Sequence, residues 1–243
     1  MLKPTQTISY LKHQDIKNKD SLNILCWNVA KLTQKDIFKD FLKELVKKEK
    51  LNFCVLQEVK GNINSCNKIF ENFSFVLSPN IQTKRNIYGV ANIFNISCLS
   101  NEILITKKRE LKLATYKSIL ITKHVLNNKN ITVVNIHALN FVGYEDFKYE
   151  LEILKEHLKN YDDALIVAGD FNTWNKKRVL LLNKFCKELS LEEVSFNNDK
   201  NIKRVFNNSL DYIFFRALKL EYSKVINIKS ISDHNPIIAS FSI

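Results

Sequence analysis

Eight polar side chains stand where apolar runs of this chain stop: Asn28, Glu58, His137, Asp170, Asn172, Asp211, Asp233 and His234. The sharpest case is Ala164-Leu165-Ile166-Val167-Ala168, which ends abruptly at Gly169-Asp170-Phe171-Asn172. Five apolar residues bounded by turn formers predict a buried strand. Just past its end an acid and an amide lie two positions apart, so period-2 geometry aims both into one space. That pairing suits a metal ion or a water attacking a phosphate. Taken singly, each residue also has a plain reading. Asp170-x-Asn172 makes a turn, Asn28 caps one, Glu58 sits on a surface, and His137 is a satisfied core histidine.

The elements that must position these groups follow from periodicity. Leu22–Val29 reads as a strand with Asn28 near its exit. Thr33 and Asp36 resemble a capping box. Ile37, Phe41, Leu42 and Leu45 mark one face of a helix reaching Lys50, and Asn52–Glu58 is the next strand. The pattern recurs: strand Ile131–His137, helix Tyr144–Asn160 on Phe147, Leu151, Leu154 and Leu158, and strand Ala164–Asp170. Between these units, Phe73–Leu77, Tyr88–Phe94, Glu102–Thr106 and Ser118–Leu126 read as short strands of largely antiparallel sheet. A third helix, Lys176–Leu189, carries Val179, Leu182, Phe185 and Leu189. Strands Ser209–Phe215, Lys219–Ile228 and Ile237–Phe241 close the chain, the last after the turn Ser232-Asp233-His234-Asn235-Pro236.

Composition bounds the partners. The 243 residues are 45% hydrophobic with only 4 Gly and 3 Pro, so one domain over 21–243 behind a polar lead-in, 1–20, is expected. The net charge of +12 favours nucleic acid, phospholipid headgroups or phosphorylated metabolites. Lysine and asparagine are abundant throughout, however, and a compositional bias explains the same surplus. Five cysteines without a Cys-x-x-Cys pair read as reduced core residues. With no secretory core at the N-terminus and no run near 18 apolar residues, a cytoplasmic protein without integral membrane contact is expected.

Six blocks, in order, carry a family resemblance: Cys26-Trp27-Asn28-Val29, Leu56-Gln57-Glu58, Asn135-Ile136-His137, Gly169-Asp170-Phe171-Asn172, Leu210-Asp211-Tyr212-Ile213-Phe214 and Ser232-Asp233-His234-Asn235-Pro236. They resemble the endonuclease/exonuclease/phosphatase (DNase I-like) superfamily, most of all its small bacterial YafD-like branch. The resemblance covers Leu22–Ile243. It implies an α/β fold, a four-layer α/β/β/α sandwich of two mixed sheets packed face to face.

It also implies roles. Asn28, Glu58 and Asp233 match positions that hold or surround Mg²⁺, with Mn²⁺ as a substitute. Asp170 matches the acid that orients or deprotonates the attacking water or holds a second metal, and Asn172 the amide on the phosphate. His234 matches the histidine that binds the phosphate, and Asp211 the acid that orients it. His137 matches a histidine near the leaving oxygen; its partner acid has no clear motif, with Glu102 and Glu110 as candidates. Asn140, Lys117 and Trp174 are candidate substrate contacts, Trp174 either stacking on a base or packing at the third helix. The expected activity is a Mg-dependent phosphodiesterase, a nuclease on DNA or RNA, working as a monomer near neutral or slightly alkaline pH. A phospholipid or sphingomyelin phosphodiesterase, a phosphomonoesterase, and a catalytically silent phosphate-binding protein on the same fold are the alternatives.

Overall fold

The computed structural model describes residues 6–11, 21–68, 70, 73–110, 115–228 and 231–243. In chain order the elements are β1 (Ile8–Tyr10), β2 (Ser21–Asn28), α1 (Asp36–Lys48), β3 (Phe53–Asn62), β4 (Ser74–Gln82), β5 (Asn86–Phe94), β6 (Ser97–Ile105), β7 (Ser118–Leu126), β8 (Lys129–His137), α2 (Tyr144–Leu158), β9 (Ala164–Asp170), α3 (Lys176–Glu188), β10 (Glu192–Glu193), β11 (Arg204–Val205), β12 (Asn208–Ser209), β13 (Asp211–Arg216), β14 (Lys219–Val225) and β15 (Ile237–Ser242).

Two mixed sheets result. The first runs β1-β4-β5-β3-β2-β15-β14 and the second β10-β13-β9-β8-β7-β6, with β11-β12 a separate hairpin. Among the described residues pairing is parallel only at β2/β3 and β8/β9, the two strand–helix–strand units. A parallel neighbour needs a crossover, and α1 and α2 are those crossovers. The central strands β2 and β9 are buried on both faces, which is why they read as continuous apolar runs rather than alternating ones. Ile24 and Cys26 of β2 and Ile166 and Ala168 of β9 face the space between the sheets. Leu25 and Trp27 instead pack under α1 with Phe38, Leu42 and Leu45. Leu165 and Val167 pack under α2 and α3 with Phe147, Leu154, Leu182 and Phe185. The result is the expected four-layer α/β/β/α sandwich. Each large side chain so buried contributes about 1.5–3 kcal/mol.

Several local expectations give way. Thr33 is not a helix cap: Lys35 occupies that position without a side-chain bond, and the buried Thr33 hydroxyl exchanges hydrogen bonds with the Lys60 backbone. The buried face of α1 is Phe38, Leu42 and Leu45, while Ile37 is 56% exposed. The second strand does not stop at Glu58; β3 continues to Asn62 across a bulge between Leu56 and Val59. Part of the polar lead-in is ordered, since Ile8–Tyr10 pair with Phe75–Leu77 at a sheet edge; most of 1–20 lies outside the described residues. Cys26, Cys54 and Cys186 are buried free thiols, and Cys98 is half-buried. The side chain of Cys66 is outside the described set. Among the described residues no helix is long and apolar enough to cross a membrane.

Candidate active site

Alternation along four strands builds the site in layers. Ile131 and Val133 of β8 lie in the inter-sheet core, so Asn135 and His137 continue the same face. By the same step Asp170 follows Ala168, Asn28 follows Cys26, and Asp211 precedes Ile213. Register then sets His137 opposite Asp170 and Asp170 opposite Asp211, three ionisable residues in a row across β8, β9 and β13.

Below this row lies a buried amide layer. Asn135 Nδ2 donates to the Leu56 and Ala91 carbonyls and to Asn92 Oδ1, at 3.0–3.1 Å, while Asn135 Oδ1 accepts from Gln57 Nε2 at 2.8 Å. Asn92 Nδ2 passes on to the Thr122 hydroxyl. The layer staples the two sheets together directly beneath the charged groups.

The ionisable layer has different chemistry. Asp170 accepts from Asn28 Nδ2 and from the Asn172 N–H, both at 3.0 Å. Burial, then the Asp211 charge, raises its pKa to about 6. His234 Nδ1 meets Asp211 Oδ2 at 2.7 Å. Burial alone would lower the His234 pKa, but Asp211, Asp170 and Asp233 outweigh it and lift it to about 9. That imidazolium is tethered at its backbone: the Trp27 indole N–H donates to the His234 carbonyl, and Ser232 bridges to Asn28. His137 goes the other way. Burial and then Lys117, His234 and Lys31 hold it well below 6.5, so it is neutral. Lys117 Nζ is 3.2 Å from His137 Nε2, and since an ammonium only donates, Nε2 is the acceptor.

The backbone is held in uncommon conformations at this edge. Gly169 has φ +151°, and a Cβ there would lie 1.9 Å from the Ile136 carbonyl oxygen, which accounts for glycine before Asp170. Glu58 (φ 53°) and Asn172 (φ 50°) are left-handed, a cost of about 1–3 kcal/mol each. The bulge turns Glu58 out of the strand's alternation toward His137, with Oε1 at 3.9 Å from Nε2.

The expected residues therefore divide. His137, Asp170, Asp211 and His234 meet, with Asn28, Asn172 and Glu58 against them. Asn28 has both ends of its amide engaged, by Asp170 and by the Ala30 N–H. Asp233 stands apart at the rim: its side chain is 63% exposed and pairs with Lys203 at 2.9 Å. Neither candidate acid touches His137. Glu102 pairs with His157, and Glu110 lies behind Lys117 at 3.5 Å while accepting the Asn140 N–H. Trp174 is partly buried, its indole N–H near the Asn140 carbonyl.

One residue that positions the loops of this site escaped the sequence reading. Arg178, fully buried on α3, donates to the carbonyls of Leu139, Asn140, Val142 and Asn172, and so fixes the two loops carrying Asn140 and Asn172. Its signal was masked because a basic residue in a lysine-rich helix reads as solvated. A cavity of about 420 Å³ opens between α3 and the β11–β12 hairpin, with Asp211 and Tyr212 in its wall.

Comparison with known proteins agrees with this fold. Residues 25–234 match the model of the Endonuclease/Exonuclease/phosphatase family. A UPF0294 protein of Photorhabdus laumondii is 30% identical over 234 residues, covering 93% of this chain and 85% of that protein. An endonuclease/exonuclease/phosphatase family protein from Leptotrichia buccalis superposes with a TM-score of 0.73 at 19% identity, over 91% of this chain and all of that one. D. rerio TDP2 complexed with a single-strand DNA product superposes with a TM-score of 0.67 at 15% identity, over 93% and 100% of the two chains. At these identities the structural likeness speaks for the fold.

Proposed function

Because the chain belongs to the endonuclease/exonuclease/phosphatase family, we propose that it is a divalent-metal-dependent phosphodiesterase acting on nucleic acid. The observation that carries this reading is the row Asp211–Asp170–His137, with His234 clamped by Asp211 at 2.7 Å. It places an acid of pKa about 6 beside an imidazolium of pKa about 9. Asp170 then accepts the proton of the attacking water, its two oxygens aimed by Asn28 and Asn172. His234 and Asn172 hold the non-bridging phosphoryl oxygens, and the His234 charge strengthens as the transition state gathers negative charge. Neutral His137 and Lys117 stand by the leaving oxygen. Lys31, Lys117 and Lys203 stand at the mouth paired with Glu58, Glu110 and Asp233, ammonium groups for which an anionic substrate would compete.

The donors fit a hard cation. The carboxylates of Asp170 and Asp211 offer oxygens within 4.8 Å of one another, and Asp211 Oδ1 is buried without a hydrogen-bond partner, while the His234 imidazolium has no lone pair to give a cation. Mg²⁺, or Mn²⁺, would supply charge neutralisation at a phosphoryl oxygen. Glu58 would hold it, and Asp233 is one rim ion pair, worth about 0–1 kcal/mol, away from joining. Asn28 fits better as the residue that fixes Asp170.

The test is hydrolysis of bis(p-nitrophenyl) phosphate and of a single-stranded oligonucleotide, with Mg²⁺ and with EDTA. Turnover that EDTA abolishes is expected; no turnover of either compound with Mg²⁺ would overturn the assignment.

A further inference from the structure

The β11–β12 hairpin immediately precedes Asp211, and its tip is built against its own convenience. Phe206 and Asn207 both have positive φ, 46° and 65°. Asparagine tolerates this conformation, whereas phenylalanine is rare there and strained. The same Phe206 is 83% exposed, the most exposed large apolar side chain among the described residues. An aromatic ring that is both strained and unburied contributes nothing to the fold's stability.

Its surroundings tie it to the site. Asn208 Nδ2 donates to the Phe206 carbonyl at 3.1 Å and to the Trp174 carbonyl at 3.2 Å. Thr173 donates its hydroxyl to the Ser209 carbonyl, joining the hairpin base to the Asn172 loop. On the other side, the Trp174 indole N–H reaches the carbonyl of Asn140, the residue before Phe141, which is 61% exposed. Phe141, Trp174 and Phe206 thus lie along one hydrogen-bonded sequence of loops around Asn172 and Asp211. Exposed Lys176 and Lys177 open α3 just beyond Trp174.

We propose that Phe141, Trp174 and Phe206 form a stacking rim for bases flanking the scissile phosphate, so that the substrate is single-stranded or frayed nucleic acid rather than intact duplex. This rests on the hydrolase reading above. Rings offered beside cations are how proteins grip unpaired strands, because every base has a π-face. In a closed duplex the base faces are already stacked and the rim finds no partner.

The test is binding without turnover. The full chain, in EDTA, is titrated with a single strand carrying 2-aminopurine and with the duplex of the same sequence. Tighter binding of the single strand, with quenched emission, is expected. Phe206→Asn should weaken it about 10-fold while holding or raising the melting temperature, since asparagine relieves the left-handed strain. Leu180→Ser, an exposed apolar control on α3, should change neither. Equal affinity for single strand and duplex, or unchanged binding by Phe206→Asn, would overturn the rim. So would Phe206-dependent capture of phosphatidylglycerol vesicles with no oligonucleotide binding. Failure of the hydrolysis assay would remove the hydrolase and leave this binding result standing; loss of the Phe206 dependence would do the reverse.

Discussion

Two polar layers lie one strand step apart between the sheets, and they are built on opposite terms. In the lower layer Gln57, Asn92, Thr122 and Asn135 are neutral, and their amide groups bond one another or backbone carbonyls. In the upper layer Asp211 Oδ1 has no partner, Asp170 and His234 sit far from their ordinary pKa values, and Glu58 and Asn172 hold left-handed backbones. Residue type decides which is which: an amide supplies donors and acceptors together and can close a network, while neighbouring carboxylates only accept. The lower layer spends its polarity on joining the sheets. The upper layer leaves one carboxylate oxygen, Asp211 Oδ1, without a partner inside the fold.

Breaking each layer separately should give opposite signatures. The largest effect is expected from Asp170→Asn, which should lower turnover by about 10³-fold or more without lowering the melting temperature, because it removes a charge that burial disfavours. Steady-state rates with a thermal melt check both halves; a large loss of stability would mean that Asp170 is structural. Asn135→Leu should do the reverse. It leaves Gln57 and the Leu56 and Ala91 carbonyls without their partner and should cost about 3 kcal/mol, read by denaturant unfolding, with turnover per folded molecule close to wild type.

The smallest and broadest effect is in pH. Turnover should rise as Asp170 deprotonates near 6 and fall as His234 deprotonates near 9. Stability should move with the same groups. His234 has a folded pKa above its ordinary 6.5, so its contribution is complete below 6.5 and is lost as pH rises through about 9, a change on the order of 3 kcal/mol. Asp170, also raised, favours the protonated fold, so its penalty lifts as pH falls through about 6. Melts across pH 5–10 check the signs; in the His234→Gln variant the loss toward pH 9 should vanish.

Much of the architecture was legible because both faces of the central strands are buried, leaving long apolar runs that stop where the site begins. Asp170, His137 and Asp211 could be placed by counting in twos from Ile166, Val133 and Ile213. The rest lacked a periodic signal. Glu58 is turned by a bulge, which shifts register without marking the sequence. Ile37 and Phe38 are both apolar, and only packing under β2 chooses between them. The hairpin at Phe206 has no glycine and strands of two residues, too short to carry a periodic signal. Asp233 was placed by motif, but its pairing with Lys203 depends on a loop whose conformation local sequence does not encode.

The tether between Ser232, His234 and β2 bears on how the molecule assembles. Ser232 bonds Asn28 across 204 positions, and β15 must slot between β2 and β14 to bring it there. Such distant pairing carries a loop-closure penalty and forms slowly. Without β15 docked, Asp170 would stand without the His234 imidazolium, so the proposed activity should return on refolding no sooner than β15 pairing.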